Sequence, residues 1–276
     1  MDNVLITGAS SGIGEGCALR LDALGYRVFA GVRKVADGDS LRGKSSARLT
    51  PVSLDVTSAE SIAGAVAALG GVPLAGLVNN AGVAIAGPLE LVPMDLWRRQ
   101  MEVNVMGPVA VTQAFLPQLR AGRGRIVNMG SVAGRSALPL AGPYCASKHA
   151  LEGLTDSLRM EVKRWGISVS LVEPGAIKTP IWDKSLGDAD ELQRQAKPEL
   201  FELYRTLVEK MLKVVQVAAR TGSPVEAVVK AVEHALTAAK PKTRYVVGRD
   251  AKLRMLLNKL PDRTIDSLIL KQIEKA

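Results

Sequence analysis

Tyr144 and Lys148 stand four residues apart in the run Tyr144-Cys145-Ala146-Ser147-Lys148. The stretch from Ala146 to Leu158 is rich in Ala and Leu and free of proline, which predicts a helix and sets the two side chains one turn apart on one face. An ammonium a few ångströms from a phenol favours the phenolate and lowers a pKa that begins at about 10 in water. Ser131 follows the apolar run Arg125-Ile126-Val127-Asn128-Met129 and can bring a hydroxyl to the same place, there to hydrogen-bond a substrate oxygen. The three together predict a proton-transfer site for a carbonyl or alcohol. A Tyr and a Lys at this spacing also occur on ordinary helices, so the surrounding elements have to carry the reading.

Those elements alternate strand and helix. Val4-Leu5-Ile6 reads as a strand, Glu15 to Leu24 as a helix, and Thr7 to Gly14 as the turn between them. Gly8, Gly12 and Gly14 let the backbone turn tightly and approach a pyrophosphate, while the free N–H groups at the helix start supply donors and a favourable dipole. Ser10, Ser11 and Ile13 complete that turn. Its spacing is G-x-x-x-G-x-G, not the G-x-G-x-x-G of the common dinucleotide fingerprint. The second strand, Arg27 to Val32, ends on Arg33-Lys34 where an acidic residue would hold an adenosine ribose. An Arg fork there favours a 2′-phosphate, hence NADP(H) over NAD(H), with Lys34 and Ser10 as helpers. The alternative for Arg33 is a solvent-facing side chain after a strand.

Ala36 to Ser46 is polar and Gly-containing and reads as a loop. A third strand, Leu49 to Leu54, runs into Asp55 and Val56, where the carboxylate either accepts from the adenine amino group or serves as a turn or cap residue before a helix near Ala59. A fourth strand ends on Asn79-Asn80-Ala81-Gly82, whose amides satisfy backbone groups at the sheet edge as readily as they touch ribose. Met94 to Leu119 is helical except around Asn104 to Pro108, where an Asn that competes for backbone bonds and a Pro without an N–H predict a distortion. Such a kink either aims Asn104, or a water on its freed carbonyl, toward Lys148, or has no chemical role. A sixth strand, Ile167 to Val172, leads into Glu173-Pro174-Gly175-Ala176-Ile177-Lys178-Thr179, and ligands bind at that end of a parallel sheet.

With 276 residues, 47% of them hydrophobic, the chain can bury a full core as one domain. The net charge of +9 raises nucleic acid or an acidic surface as partners, but aromatic content is 4% and no basic run is interleaved with aromatics, so nucleic-acid binding is not expected. Cys17 and Cys145 are expected as free, buried thiols in a reducing compartment. With a strand beginning at Val4 and no apolar run of membrane-spanning length, a cytoplasmic protein without a transmembrane segment is expected. No metal site is expected.

About six β/α alternations imply an α/β fold, a Rossmann-type doubly wound parallel sheet covered on both faces. In residues 4 to 180 the chain resembles the short-chain dehydrogenase/reductase family. Thr7 to Gly14 is similar to the family's cofactor turn, Asp55 to its adenine contact, Asn79 to Gly82 to its NNAG motif, and Asn104, Ser131, Tyr144 and Lys148 to its catalytic tetrad. Pro174, Gly175, Ile177 and Thr179 resemble its nicotinamide-carboxamide segment. The resemblance implies hydride transfer at nicotinamide C4, with Tyr144 as acid or base, Ser131 holding the substrate oxygen, and Lys148 tuning Tyr144 while binding ribose. Asn104 would anchor a relay water.

Beyond Pro180 a helical stripe over Glu199 to Ala219, with Trp182, Phe201 and Tyr204 nearby, reads either as core or as the roof of a substrate cleft. Residues 180–222 are therefore expected as a lid and 249–276 as a C-terminal extension acting as lid, subunit contact or interfacial segment. The Arg-Tyr strand followed by Leu-Leu-x-x-Leu-Pro-Asp resembles the retinol, hydroxysteroid and hydroxybutyrate dehydrogenase branch. That implies a small lipophilic alcohol or ketone such as a steroid or retinoid, and a homodimer or homotetramer is expected. Two alternatives are a 3-oxoacyl-carrier-protein reductase and a non-catalytic NADP-sensing regulator, the latter having no need of a filled tetrad.

Overall fold

Val4 and Ile6 pack into one apolar layer and Leu5 into another, so the first strand, β1 (Asn3–Ile6), already has a helix layer to meet on each side. The computed structural model describes residues 2–182, 194 and 197–275. It contains one seven-stranded sheet in the order β3-β2-β1-β4-β5-β6-β7. The remaining strands are β2 (Arg27–Val32), β3 (Leu49–Ser53), β4 (Leu74–Asn79), β5 (Arg125–Met129), β6 (Ser168–Pro174) and β7 (Arg244–Val247), and every pairing is parallel. Parallel strands need crossovers, and helices supply them. On one face lie α1 (Gly12–Ala23) and α2 (Val35–Arg42); on the other, α3 (Ala59–Leu69), α4 (Met94–Met101), α5 (Gly107–Gly122) and α6 (Gly142–Val162) follow in chain order. Three of these build the second core layer, with Ile62, Ala65 and Leu69 from α3, Phe115 and Leu119 from α5, and Val162 from α6.

After β6 come α7 (Pro198–Thr221), α8 (Val225–Thr237), α9 (Arg249–Leu257) and α10 (Asp262–Glu274). Helix α8 joins α1 in the first layer through Val228, Val229, Val232, Ala235 and Leu236. Helices α7, α9 and α10 behave differently: each buries a single residue, Met211, Ala251 and Ile273 respectively.

Two features depart from the sequence reading. The expected loop at Ala36–Ser46 holds α2, because Leu41 is buried and Gly38 sits against Pro51, where a Cβ would come within 2.9 Å of the proline ring. Tertiary packing there overrides the weak helix propensity of a Gly- and Asp-rich stretch. The sixth strand runs two residues further, to Pro174, because β7 pairs with it as far as Val247. No described helix is long and apolar enough to cross a membrane.

Candidate active site

The strand order reverses between β1 and β4, so the chains leaving these two strands diverge and open a crevice at their carboxyl ends. Thr7 ties the crevice floor together: its N–H donates to the Val78 carbonyl at 2.9 Å, and its Oγ1 accepts from the N–H groups of Asn80 and Ala81, each at 3.0 Å. The Asn80 amide nitrogen donates to the carbonyls of Thr7 and Gly8, both at 3.0 Å, which pins the glycine turn to the end of β4.

The glycine positions of the turn resist any side chain. Gly8 and Gly12 have φ of 64° and 58°, in the left-handed region. A Cβ on Gly14 would lie 2.2 Å from the Gly8 carbonyl oxygen, and one on Gly8 would lie 2.7 Å from the Ala81 Cα. Ser11 occupies the cap position of α1, yet its side chain makes no capping bond. The first N–H groups of α1 therefore face the crevice without a side-chain acceptor, which is the donor set a pyrophosphate needs. Ile13 packs against the first core layer, and Gly12 sits against Thr179 across the crevice, with a Cβ reaching the threonine methyl at 3.3 Å.

At the end of β2, Arg33 is exposed and its charge helps hold the Asp55 carboxyl below the ordinary range. The larger cause is the Thr57 N–H, which donates to Asp55 Oδ1 at 2.9 Å; the Thr57 hydroxyl donates to the same oxygen at 2.7 Å. Asp55 is thus a turn residue with one oxygen engaged, while Ser58, accepting from the Ser61 N–H, caps α3. Val56 beside it is buried.

The catalytic candidates converge at the other end. Helix α6 begins at Gly142, with Pro143 in its first turn, and carries Tyr144 and Lys148 on one side. Lys148 is buried; its Nζ donates to the Met129 carbonyl at 2.7 Å and lies 5.7 Å from the centre of the Tyr144 ring. Burial draws the Lys148 pKa down to about 8, so the amine remains mostly cationic at neutrality. Ser131 caps a short turn at residues 132–134, its Oγ accepting from the Ala133 N–H at 3.1 Å, and its hydroxyl lies close enough to the Tyr144 hydroxyl to favour the phenolate. The sequence predicted a tyrosine with a lowered pKa. In the structure burial pushes the Tyr144 hydroxyl up and outweighs the Ser131 hydroxyl that pulls it down. The ammonium lies over the ring, with its hydrogen bond spent on a carbonyl.

Asn104 lies in a π-helical turn, Glu102–Met106, between α4 and α5, and Pro108 has no N–H to give to the Asn104 carbonyl four residues back. Its side chain is fully engaged: Oδ1 accepts from the Val83 N–H at 2.9 Å, and Nδ2 donates to the Val83 carbonyl and to the Ser147 hydroxyl. Gly82 sits against it, a Cβ there coming 3.4 Å from Asn104 Oδ1. Asn79 is turned to a buried network, donating to Thr112 Oγ1 at 3.0 Å and to Asn128 Oδ1 at 2.9 Å.

Past β6, the Gly175 N–H donates to the Val247 carbonyl, and Asp250 of α9 approaches so closely that a Cβ on Gly175 would lie 2.2 Å from its carboxylate. Asp250 Oδ2 also accepts from the Ala176 N–H at 2.8 Å. Ile177 bridges to Ser223, and the Trp182 indole N–H donates to the Ile177 carbonyl. Sequence reasoning missed Asp250, Ser223, Gln100 and Ser147, which hold the loops in place from distant parts of the chain; no short motif marks them. The expected lid lies partly at residues 183–193 and 195–196, outside the described residues.

Comparison with known proteins gives a consistent picture. The family model described as short chain dehydrogenase matches residues 2–190. The chain is 37% identical to "Retinol dehydrogenase 7" of Mus musculus over 96% of this chain and 87% of that protein. It is 35% identical to "NADPH-dependent 3-dehydrocapnine reductase" of Ornithobacterium rhinotracheale over 100% of this chain and 98% of that protein. Among solved structures, a short chain dehydrogenase/reductase from Burkholderia phymatum in complex with NAD superposes with a TM-score of 0.77 at 28% identity, covering 97% of this chain and 95% of that one.

Proposed function

The chain belongs to the short chain dehydrogenase family and is an NAD(P)-dependent oxidoreductase acting on CH-OH or C=O groups, and from that premise we propose that it reduces or forms the carbonyl of a lipophilic substrate with NADP(H), using Tyr144 as the acid or base. The observation that carries the reading is the meeting of the Ser131 and Tyr144 hydroxyls above a buried Lys148, at the same sheet end as a glycine turn packed too closely to admit a side chain at Gly8 or Gly14.

The dinucleotide supplies or takes the hydride. Gly8, Ser10, Ser11, Gly12, Ile13 and Gly14 cradle its phosphates, Asp55 and Val56 face the adenine, and Asn79, Ala81 and Gly82 border the ribose. Pro174, Gly175, Ile177 and Thr179 hold the carboxamide end, with Asp250 fixing that loop. In reduction the Tyr144 hydroxyl gives its proton to the substrate oxygen, which Ser131 holds by a hydrogen bond. Lys148 stabilises the phenolate so formed through space, and the Asn104 carbonyl, deprived of a helical donor by Pro108, holds a water that passes a proton toward the lysine. Arg33 takes the 2′-phosphate as a bidentate fork.

A lipophilic substrate is supported by the retinol dehydrogenase relatives and by the apolar stripe of α7, which with α9 and α10 serves as lid and extension. Two free, buried cysteines support a reducing compartment such as the cytoplasm, and a homodimer or homotetramer remains the expected assembly. Tyr144→Phe tests the core of the proposal. Turnover is expected to fall by roughly 10²- to 10⁴-fold while NADPH affinity, followed by fluorescence titration, stays within about twofold; unchanged kcat would refute the assignment. Arg33→Asp should raise the NADPH KM and leave the NADH KM nearly untouched.

A further inference from the structure

Helix α9 is fastened to two of the loops that carry this site's residues. At one end Asp250 accepts from the Ala176 N–H; at the other, Asn258, just past the helix, donates from Nδ2 to the Arg135 carbonyl at 2.6 Å. The first anchor belongs to the loop that leaves β6, the second to the turn that begins with Ser131. Asp250, Arg254 and Asn258 succeed one another at intervals of four and so share a helix face. At 1.5 Å per residue the two anchors stand about 12 Å apart along the axis, and Arg254 lies midway, above the gap they span.

The Arg254 side chain is half-buried, and among the described residues its guanidinium has no hydrogen bond or ion pair. Asp250 acts on it only through space, its Oδ2 being committed to Ala176. Arg254 also lies within electrostatic range of the buried thiol of Cys145, the residue next to Tyr144 on α6. Desolvation draws the Arg254 pKa below its ordinary value, the mark of a guanidinium taken from water without a compensating anion. Two other enclosed cations are held differently: Arg244 by Glu152 and Asp156, and Lys148 by a carbonyl.

We infer that Arg254 is a specificity-determining residue that binds an acidic group on the substrate, a carboxylate or a chemically similar oxyanion, while the reacting carbonyl lies between Ser131 and Tyr144. The substrate is then an amphiphile, an acidic head joined through a short spacer to the ketone or alcohol, with an apolar remainder against Leu253 and Leu257 of the same helix and the stripe of α7. Neutral retinoids and steroids lack that head and leave the guanidinium unpaired. Arginine suits the task because its planar fork meets two oxygens at once and stays charged through any working pH.

The inference rests on the reductase reading above, and one experiment separates the two. Purified protein is assayed for NADPH oxidation with medium-chain β-, γ- and δ-keto acids and with the methyl ester of each, for the natural chain, Arg254→Gln and Arg254→Lys. At least one acid is expected to exceed its ester by about tenfold in kcat/KM, carried mostly by KM, a ratio that Arg254→Gln collapses to near one and Arg254→Lys partly restores. Raising the salt concentration should narrow the same ratio in the natural chain. If the natural chain reduces every acid and ester alike, or if Arg254→Gln depresses both equally, the role of Arg254 is overturned and the reductase reading stands. If no carbonyl is reduced although NADPH binds, both fall. Thermal melting of each variant separates a lost ratio from lost folding.

Discussion

The turn after β1 and the helices at the C-terminal end of the chain are built under opposite constraints. In the first, backbone meets backbone: Gly8, Gly14, Ala81 and Asn80 are packed so closely that a single methyl has nowhere to go. In the second, α7, α9 and α10 bury one residue each and present Leu203, Val217, Leu253, Leu256, Leu268 and Leu270 to the surface. On the proposed function, the contrast separates the part of the site that would handle a fixed cofactor from the part that would meet a variable substrate. A turn proposed to meet a pyrophosphate is held by the sheet, whereas a wall proposed to meet different ligands needs only one or two fastenings, such as Asp250 and Asn258.

Four measurements break or sharpen that contrast. Gly14→Ala should have the largest effect: a Cβ 2.2 Å from the Gly8 carbonyl forces the turn apart, so NADPH titration should detect no binding and the melting temperature should fall. Normal binding by this variant would show that the turn is not rigid. Phe115→Ala, in the fully buried layer under β4 and β5, should cost roughly 3–5 kcal/mol of stability by denaturant titration.

Third is the pH dependence of stability. Glu173, fully buried at the end of β6, is pushed up to about 7 from an ordinary 4.5, first by burial and then by the facing Glu152 carboxylate, against a weaker pull from Arg135. The native chain therefore keeps a proton there that the unfolded chain gives up near 4.5, so this group's contribution falls as pH rises from about 4.5 to about 7 and stays low above it. Glu173→Gln should flatten that slope in a series of melts across the same range. The smallest effect belongs to Leu203→Ala on the exposed side of α7, within about 0.5 kcal/mol of the natural stability; a larger loss would show that α7 belongs to the core.

The legible part of the molecule was the part built from local rules. Alternating apolar strands and glycine-marked turns disclosed the doubly wound sheet, and the four-residue step from Tyr144 to Lys148 disclosed the helix face on which they stand. Pro108 and Asn104 foretold the distorted turn between α4 and α5, although not that the Asn104 side chain would be spent on Val83 and Ser147. What sequence could not carry were contacts closed by distant residues. Leu41 and Pro51 turn a polar stretch into a helix, and Asp250 secures a loop that precedes it by 74 residues. The direction of the Tyr144 pKa belongs to the same class, because it depends on how deeply the hydroxyl sits.

The bridge between Ile177 and Ser223 has a consequence for how such a chain can change. Lys178 N–H to Ser223 carbonyl and Ser223 N–H to Ala176 carbonyl close the ends of the intervening stretch side by side, just beyond the sheet. Whatever lies between departs from and returns to one clamped point, so its length and composition can be exchanged with little strain passed to the strands. A stretch fastened like that is a replaceable cassette, and selection for a new substrate can work on it while the hydride chemistry is inherited intact.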